Sequence, residues 1–111
     1  MESLKKNKEF KRVYNNGKSH ATRNLVIYYL KSEDLENNRY GLSVSKRIGN
    51  AVVRNKLKRR LREVIRDFEK KYNFDKSYDI IFIARNPVVD LDYRGIKRDV
   101  KKLYKKANLV K

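Results

Sequence analysis

From Asn50 onward an apolar stripe falls at Val53, Leu57, Leu61, Val64, Ile65, Phe68 and Tyr72. That spacing is the repeat of one face of an α-helix. It predicts the longest helix of the chain. Ile48-Gly49-Asn50 turns the chain into it, and the Asn50 side chain is suited to cap its first turn. Ahead of it, Leu25-Val26-Ile27-Tyr28-Tyr29-Leu30 is rich in β-branched and aromatic residues and predicts a strand. Tyr40-Gly41-Leu42-Ser43-Val44-Ser45 alternates large and small, which predicts a second strand with Leu42 and Val44 inward. The polar stretch Ser32–Asn38 between them reads as a loop, short enough that these two strands are expected to pair antiparallel.

Near the N-terminus, Leu4, Phe10, Val13 and Tyr14 supply the apolar contacts of a short helix, with Asn7 as its cap and Gly17 at its end. Lys18–Ala21 reads as a short strand. Tyr78-Asp79-Ile80-Ile81-Phe82-Ile83-Ala84 is nearly continuous in apolar residues and predicts a strand buried on both faces, stopped by Arg85-Asn86-Pro87. Asp92 is placed to cap a last helix whose inner face is Ile96, Val100, Leu103, Tyr104 and Ala107. The predicted order is α-β-β-β-α-β-α. It describes an α/β two-layer sandwich with helices on a mixed sheet.

Composition supports a single folded domain over residues 1–111. The chain has 40% hydrophobic and 11% aromatic residues, enough for a core despite 39% charged residues. A domain of this length buries about 60–70% of its unfolded surface and needs no covalent staple. No internal repeat, Pro- or Gly-rich linker or low-complexity stretch interrupts it. The absence of cysteine excludes disulfides, thiolate metal sites and a cysteine nucleophile, and fits a reducing compartment. His20 is the one histidine, which excludes a multi-histidine metal site. The longest apolar run is far shorter than the ~20 residues of a membrane span. No secretory signal is visible, so a cytoplasmic location is expected.

Charge changes the picture most. Thirty Lys and Arg against 13 Asp and Glu give a net charge of +17. Such an excess points to a phosphate backbone, where cations displace condensed counterions. A membrane surface is a poorer match, because no segment is both strongly basic and rich in large apolar residues. The long helix concentrates the charge. At about 100° per residue, Asn55, Arg59, Arg62 and Arg66 fall opposite its apolar stripe, with Arg54 and Lys58 on one border and Lys56 and Arg60 on the other. Lys46 and Arg47 stand just ahead of its N-terminus, where free N–H groups attract anions. Glu63 and Asp67 lie on one flank only. A face that served solubility alone would mix the signs more evenly.

Candidate catalytic chemistry is sparse. Gly17, Gly41, Gly49 and Gly95 are too far apart for a phosphate-binding loop. No carboxylate is placed beside Ser19 and His20, so His20 reads as structural or incidental. Glu33, Asp34 and Glu36 read as a solvated loop, and Asp92 as a cap. A self-sufficient metal nuclease would have to draw on Asp79, Asp90 or Asp92. Phe68, Phe82 and Tyr104 lie on core stripes. By spacing alone Phe10, Tyr14 and Tyr28 also read as core, although aromatic faces beside cations can stack unpaired bases. The residues can hold a nucleic acid and offer no evident set to cut one.

The stretch from Gly41 to Glu63, with its Ser45-Lys46-Arg47-Ile48-Gly49-Asn50-Ala51-Val52-Val53-Arg54-Asn55-Lys56 turn and basic helix, resembles the protein component of bacterial ribonuclease P. The resemblance extends through Lys8–Tyr14 and Tyr78–Pro87, and so over nearly the whole chain. It implies a subunit of an endoribonuclease holoenzyme in which a large RNA, with bound magnesium, cleaves the 5′ leader from precursor tRNA. The protein would be its cofactor, without catalytic residues of its own and without a protein-only metal site. It would also help bind the metals that the RNA uses. The resemblance places Lys46, Arg47, Arg54, Asn55, Lys56, Lys58, Arg59, Arg62 and Arg66 on the surface facing the catalytic RNA. It places Phe10, Tyr14 and Tyr28 in a cleft for the single-stranded leader. The implied partners are the catalytic RNA and precursor tRNA, with no membrane and no obligate protein partner. A left-handed crossover around the basic helix is also implied, in a fold similar to the second domain of ribosomal protein S5. Lys56 stands where the family most often has Arg, and Tyr14 where Phe is common. A structural RNA-binding protein of ribosomal type is the alternative reading.

Overall fold

The computed structural model describes residues 2–32, 36–74 and 77–110. A five-stranded mixed sheet carries the fold, from β1 (Glu2–Ser3), β2 (Lys18–Ala21), β3 (Leu25–Ser32), β4 (Arg39–Ser43) and β5 (Ser77–Ala84). Three helices accompany it: α1 (Asn7–Asn16), α2 (Ala51–Lys71) and α3 (Tyr93–Lys106). A 3₁₀ turn at Asn86–Asp90 contains Pro87 and links β5 to α3. Apart from the two-residue β1 and the 3₁₀ turn, the elements follow the expected order; β4 closes at Ser43, so the buried Val44 lies just past the strand expected to hold it.

The strand order is β1-β4-β5-β3-β2. β3 and β4 therefore do not pair, contrary to the expectation from their short connection. β5 lies between them, antiparallel to β3 and parallel to β4. The physical reason is the apolar character of β5. Ile80, Ile81 and Phe82 are fully buried, and a strand apolar on both faces belongs in the middle of a sheet. The parallel β4–β5 pair is joined through α2, as a parallel connection requires.

One face of the sheet packs against α2 and α3. Leu25, Ile27, Tyr40, Ile80 and Phe82 meet Leu57, Leu61, Ile65 and Phe68 from α2 and Ile96, Val100 and Leu103 from α3. The Tyr40 and Tyr104 hydroxyls bond to each other at 3.0 Å within this core, and burial pushes both phenols above their ordinary range. Asp99 of α3 accepts from Thr22 Oγ1 at 2.8 Å and Asn24 Nδ2 at 2.9 Å, tying α3 to the β2–β3 turn. The opposite face carries α1. Val13, Leu4 and Ile81 form a smaller core there, with Phe10, Tyr28, Leu30 and Ile83 packed around it.

Local chemistry explains the helix ends. Asn50 Oδ1 accepts from Val53 N at 3.0 Å, and Asp92 Oδ1 from Gly95 N at 2.9 Å, as the sequence predicts. At α1 the cap position is Lys6, not Asn7. The Glu9 carboxylate reaches back to the Lys5 and Lys6 N–H groups at 3.1 and 2.9 Å, so an acid inside the first turn replaces the side-chain cap expected from Asn7. Gly17 ends α1 where a Cβ would stand 2.5 Å from the Tyr29 carbonyl oxygen. Ser32, expected to open the loop Ser32–Asn38, instead closes β3. Glu33 and Asp34 lie outside the described residues.

Candidate nucleic-acid interface

The α2 helix buries Leu57, Leu61, Val64, Ile65 and Phe68 and turns the rest of its circumference outward. Asn55, Lys56, Arg59, Arg62 and Arg66 are exposed, as are Lys46 and Arg47 in the preceding turn. Arg54 and Lys58, on the border of the apolar stripe, are half-buried. Arg54 Nε donates to the Gly49 carbonyl at 3.2 Å, drawing this side chain back across the helix start. The sequence-predicted cationic residues thus share one helix and its entry turn. Two nearby acids are turned away from them. Asp67 accepts from the Tyr93 hydroxyl of α3, and Glu69 accepts from Asn38 Nδ2 at 3.2 Å. Glu63 stays exposed on the Lys56/Arg60 flank, so the charge of α2 is offset on that side alone.

The three aromatics come together on the α1 face of the sheet. The Phe10 and Tyr14 ring centroids are 6.4 Å apart, and Tyr14 meets Tyr28 edge to face at 5.0 Å. Phe10 and Tyr28 are half-buried and Tyr14 is exposed. The spacing argument placed them in the core. The structure shows why it fell short: α1 covers only part of its sheet face, so these rings have packing beneath them and solvent beside them. Burial pushes the Tyr14 phenol up, and hydrogen bonding with Ser43 of β4 opposes that shift.

The two surfaces meet. A small crevice beside β4 is lined by Phe10, Gly41 and Leu42 on one side and by Lys58 and Arg62 of α2 on the other. Gly41 makes this possible, because a Cβ there would stand 2.6 Å from Phe10 Cε1. Phe10 lies far along the chain from Lys58 and Arg62 and on a different element. Their junction depends on β4 lying near the sheet edge, and no periodicity reports that.

A partly buried ionic network around the buried Asp79 fixes α1 on the sheet. The Asp79 carboxylate receives Arg39 Nε at 2.9 Å, Arg39 Nη2 at 2.8 Å and Arg12 Nη1 at 3.3 Å. Arg39 Nη1 also donates to Glu9 Oε2 at 2.6 Å. The network was not foreseen from the sequence, although Arg39 and Asp79 sit at positions that the alternation of β4 and β5 turns to the same face. The network accounts for Asp79, whose oxygens are occupied by guanidinium groups. Asp92 serves as a cap, and Asp90 is exposed at the end of the 3₁₀ turn. Among the described residues no group of three or more His, Asp or Glu side chains is placed to hold a metal ion. His20 stacks on Tyr29 with centroids 6.0 Å apart, on the face of the sheet away from Phe10.

Fold and site define a small α/β sandwich with one strongly cationic helix. The family described as Ribonuclease P matches residues 1–108, and the chain belongs to that family. It is 46% identical over 106 residues to the ribonuclease P protein component of Caldanaerobacter subterraneus subsp. tengcongensis, covering 96% of this chain and 89% of that one. A Bacillus cereus ribonuclease P protein component is 43% identical over the same length, covering 96% and 90%. The Staphylococcus aureus RNase P protein structure superposes with a TM-score of 0.89 at 36% identity, covering 100% of this chain and 99% of that one. The Thermotoga maritima RNase P protein gives 0.82 at 27% identity, covering 96% and 97%. Among the described residues no helix is long and apolar enough to cross a membrane.

Proposed function

We propose that this chain is the RNA-binding protein subunit of a ribonucleoprotein endoribonuclease that removes the 5′ leader of precursor tRNA. The outer arc of α2, with Lys46 and Arg47 ahead of it, binds the catalytic RNA. Phe10, Tyr14 and Tyr28 hold the unpaired leader. The RNA performs the magnesium-dependent cleavage and binds most of the magnesium. A cytoplasmic location follows from these partners.

The observation that carries this reading is the crevice where Lys58 and Arg62 meet Phe10. It makes one continuous track from the cationic helix to the aromatic face. A leader strand and a large RNA repel each other strongly. A protein of charge +17 between them offsets that repulsion and lowers the free magnesium needed. Unpaired bases stack on aromatic rings with little regard to sequence, which suits a leader that varies from one tRNA to the next.

The test is the affinity of the reconstituted holoenzyme for precursors with leaders of increasing length, set against mature tRNA. A gain with leader length that Phe10→Ala and Tyr28→Ala each reduce supports the reading. A gain that these substitutions leave intact places the leader elsewhere.

A further inference from the structure

Four large apolar side chains are exposed among the described residues, and Tyr14 belongs to the aromatic face. Two of the other three, Val53 and Val89, share one hollow. Val52 is 75% exposed, Val53 37% and Val89 40%. Val53, in the first turn of α2, and Val89, in the 3₁₀ turn, line a concavity of about 330 Å³ together with Ile48, Leu57 and Val88. Its remaining lining residues are Lys56 and Arg60, and no carboxylate is among them. Arg60 Nη1 donates to the Leu91 carbonyl at 3.3 Å, which keeps the guanidinium at the rim and uses one of its five donors.

This hollow lies on the opposite border of α2 from Lys58 and the Phe10 crevice. An apolar surface left open on so polar a molecule is characteristic of a binding site. The chemistry of the lining selects the occupant. An apolar hollow receives the flat face of a base, and a cationic rim receives the phosphates on either side of it. A second copy of this chain would bring +17 against +17 and is disfavoured. The rim is also continuous with the outer arc of α2, since Lys56 belongs to both.

We propose that the hollow between α2 and the 3₁₀ turn receives one unstacked nucleobase of the RNA that α2 faces, with the adjoining phosphates on Lys56 and Arg60. The inference rests on α2 being the RNA-binding face. It adds a contact that discriminates unpaired from paired RNA at that point, because a base within a helix cannot enter the hollow.

Salt dependence separates this contact from the others. Removing an apolar contact to a base lowers affinity without changing the number of counterions released. Val89→Ser and Val53→Ser, each in the full chain, are titrated against a bacterial ribonuclease P RNA over a range of salt. Both positions are solvent-exposed, and thermal melting monitors the fold. Each substitution is expected to weaken binding about five-fold, with the slope of log K against log salt unchanged. Parental affinity in both variants overturns the proposal, as does a loss accompanied by a changed slope. A free chain that sediments as a dimer, and that Val89→Ser renders monomeric, would show that a second copy covers the hollow. Failure of the parent chain to bind the RNA overturns the reading of α2, and the proposal with it.

Discussion

Arg39 and Asp79 face each other across the β4–β5 pair, and the guanidinium holds the carboxylate in two parallel bonds of 2.9 and 2.8 Å. Asp79 is fully buried, and Arg12 from α1 completes its shell. This pair anchors the aromatic face, because Arg39 also reaches Glu9 at the start of α1. Removing one partner of a buried pair leaves the other uncompensated. Asp79→Asn is expected to destabilise the chain by about 2–4 kcal/mol, lowering the melting temperature by about 10 °C or more. A variant that melts like the parent, loses holoenzyme activity and regains it with added magnesium would make Asp79 a metal ligand instead.

The Glu9 carboxyl is held below its ordinary value near 4.5, first by the backbone N–H groups of Lys6 and Lys5 and then by Arg39. A depressed pKa in the folded state stabilises the fold above the unfolded value and loses that contribution as pH falls through the folded one. Melting temperature should therefore drop between about pH 5 and lower pH, and Glu9→Gln should make that part of the profile shallower. Parallel profiles for the two proteins would show that Glu9 is not coupled to folding.

Gly41 lets the Phe10 ring lie directly against β4. Gly41→Ala places a methyl where the ring stands, and the ring must move. The expected result is a folded protein with unaltered affinity for the catalytic RNA and about five-fold weaker leader-dependent binding. Undiminished leader binding would mean that the position of Phe10 does not set the cleft.

Arg59 is exposed on the outer arc of α2, where its fork is free to contact phosphate. Arg59→Ala is expected to weaken RNA binding and to reduce the slope of log K against log salt by about one charge. An unchanged slope would place Arg59 away from the phosphates.

Much of this molecule is legible in its sequence, for reasons that differ by element. The helical repeat gives α2, its buried stripe from Leu57 to Phe68 and its cationic arc directly, because inward and outward positions of a helix are fixed by a 3.6-residue period; Val53, on the same repeat, is left exposed at the first turn, and Tyr72 follows the last. The caps Asn50 and Asp92 are equally local. The order of strands is not local. The short link between β3 and β4 suggested that they pair, yet the apolar run Ile80-Ile81-Phe82 takes the central place between them. That run carried the necessary signal, since a strand buried on both faces needs neighbours on both sides. The aromatic face was ambiguous for a related reason. Phe10, Tyr14 and Tyr28 have core spacing, and their exposure depends on how little of the sheet α1 covers. The hollow lined by Val53 and Val89 joins residues more than 30 positions apart, and no pattern along the chain pairs them.

On the function proposed above, the protein binds and the RNA cuts. The most direct measurement is cleavage of a precursor tRNA at low magnesium by a bacterial ribonuclease P RNA alone, by this protein alone, and by the two together. Cleavage at the mature 5′ end only in the mixture is the predicted result. Cleavage by the protein alone would contradict it, and tight RNA binding without any enhancement would make the chain a structural RNA-binding protein.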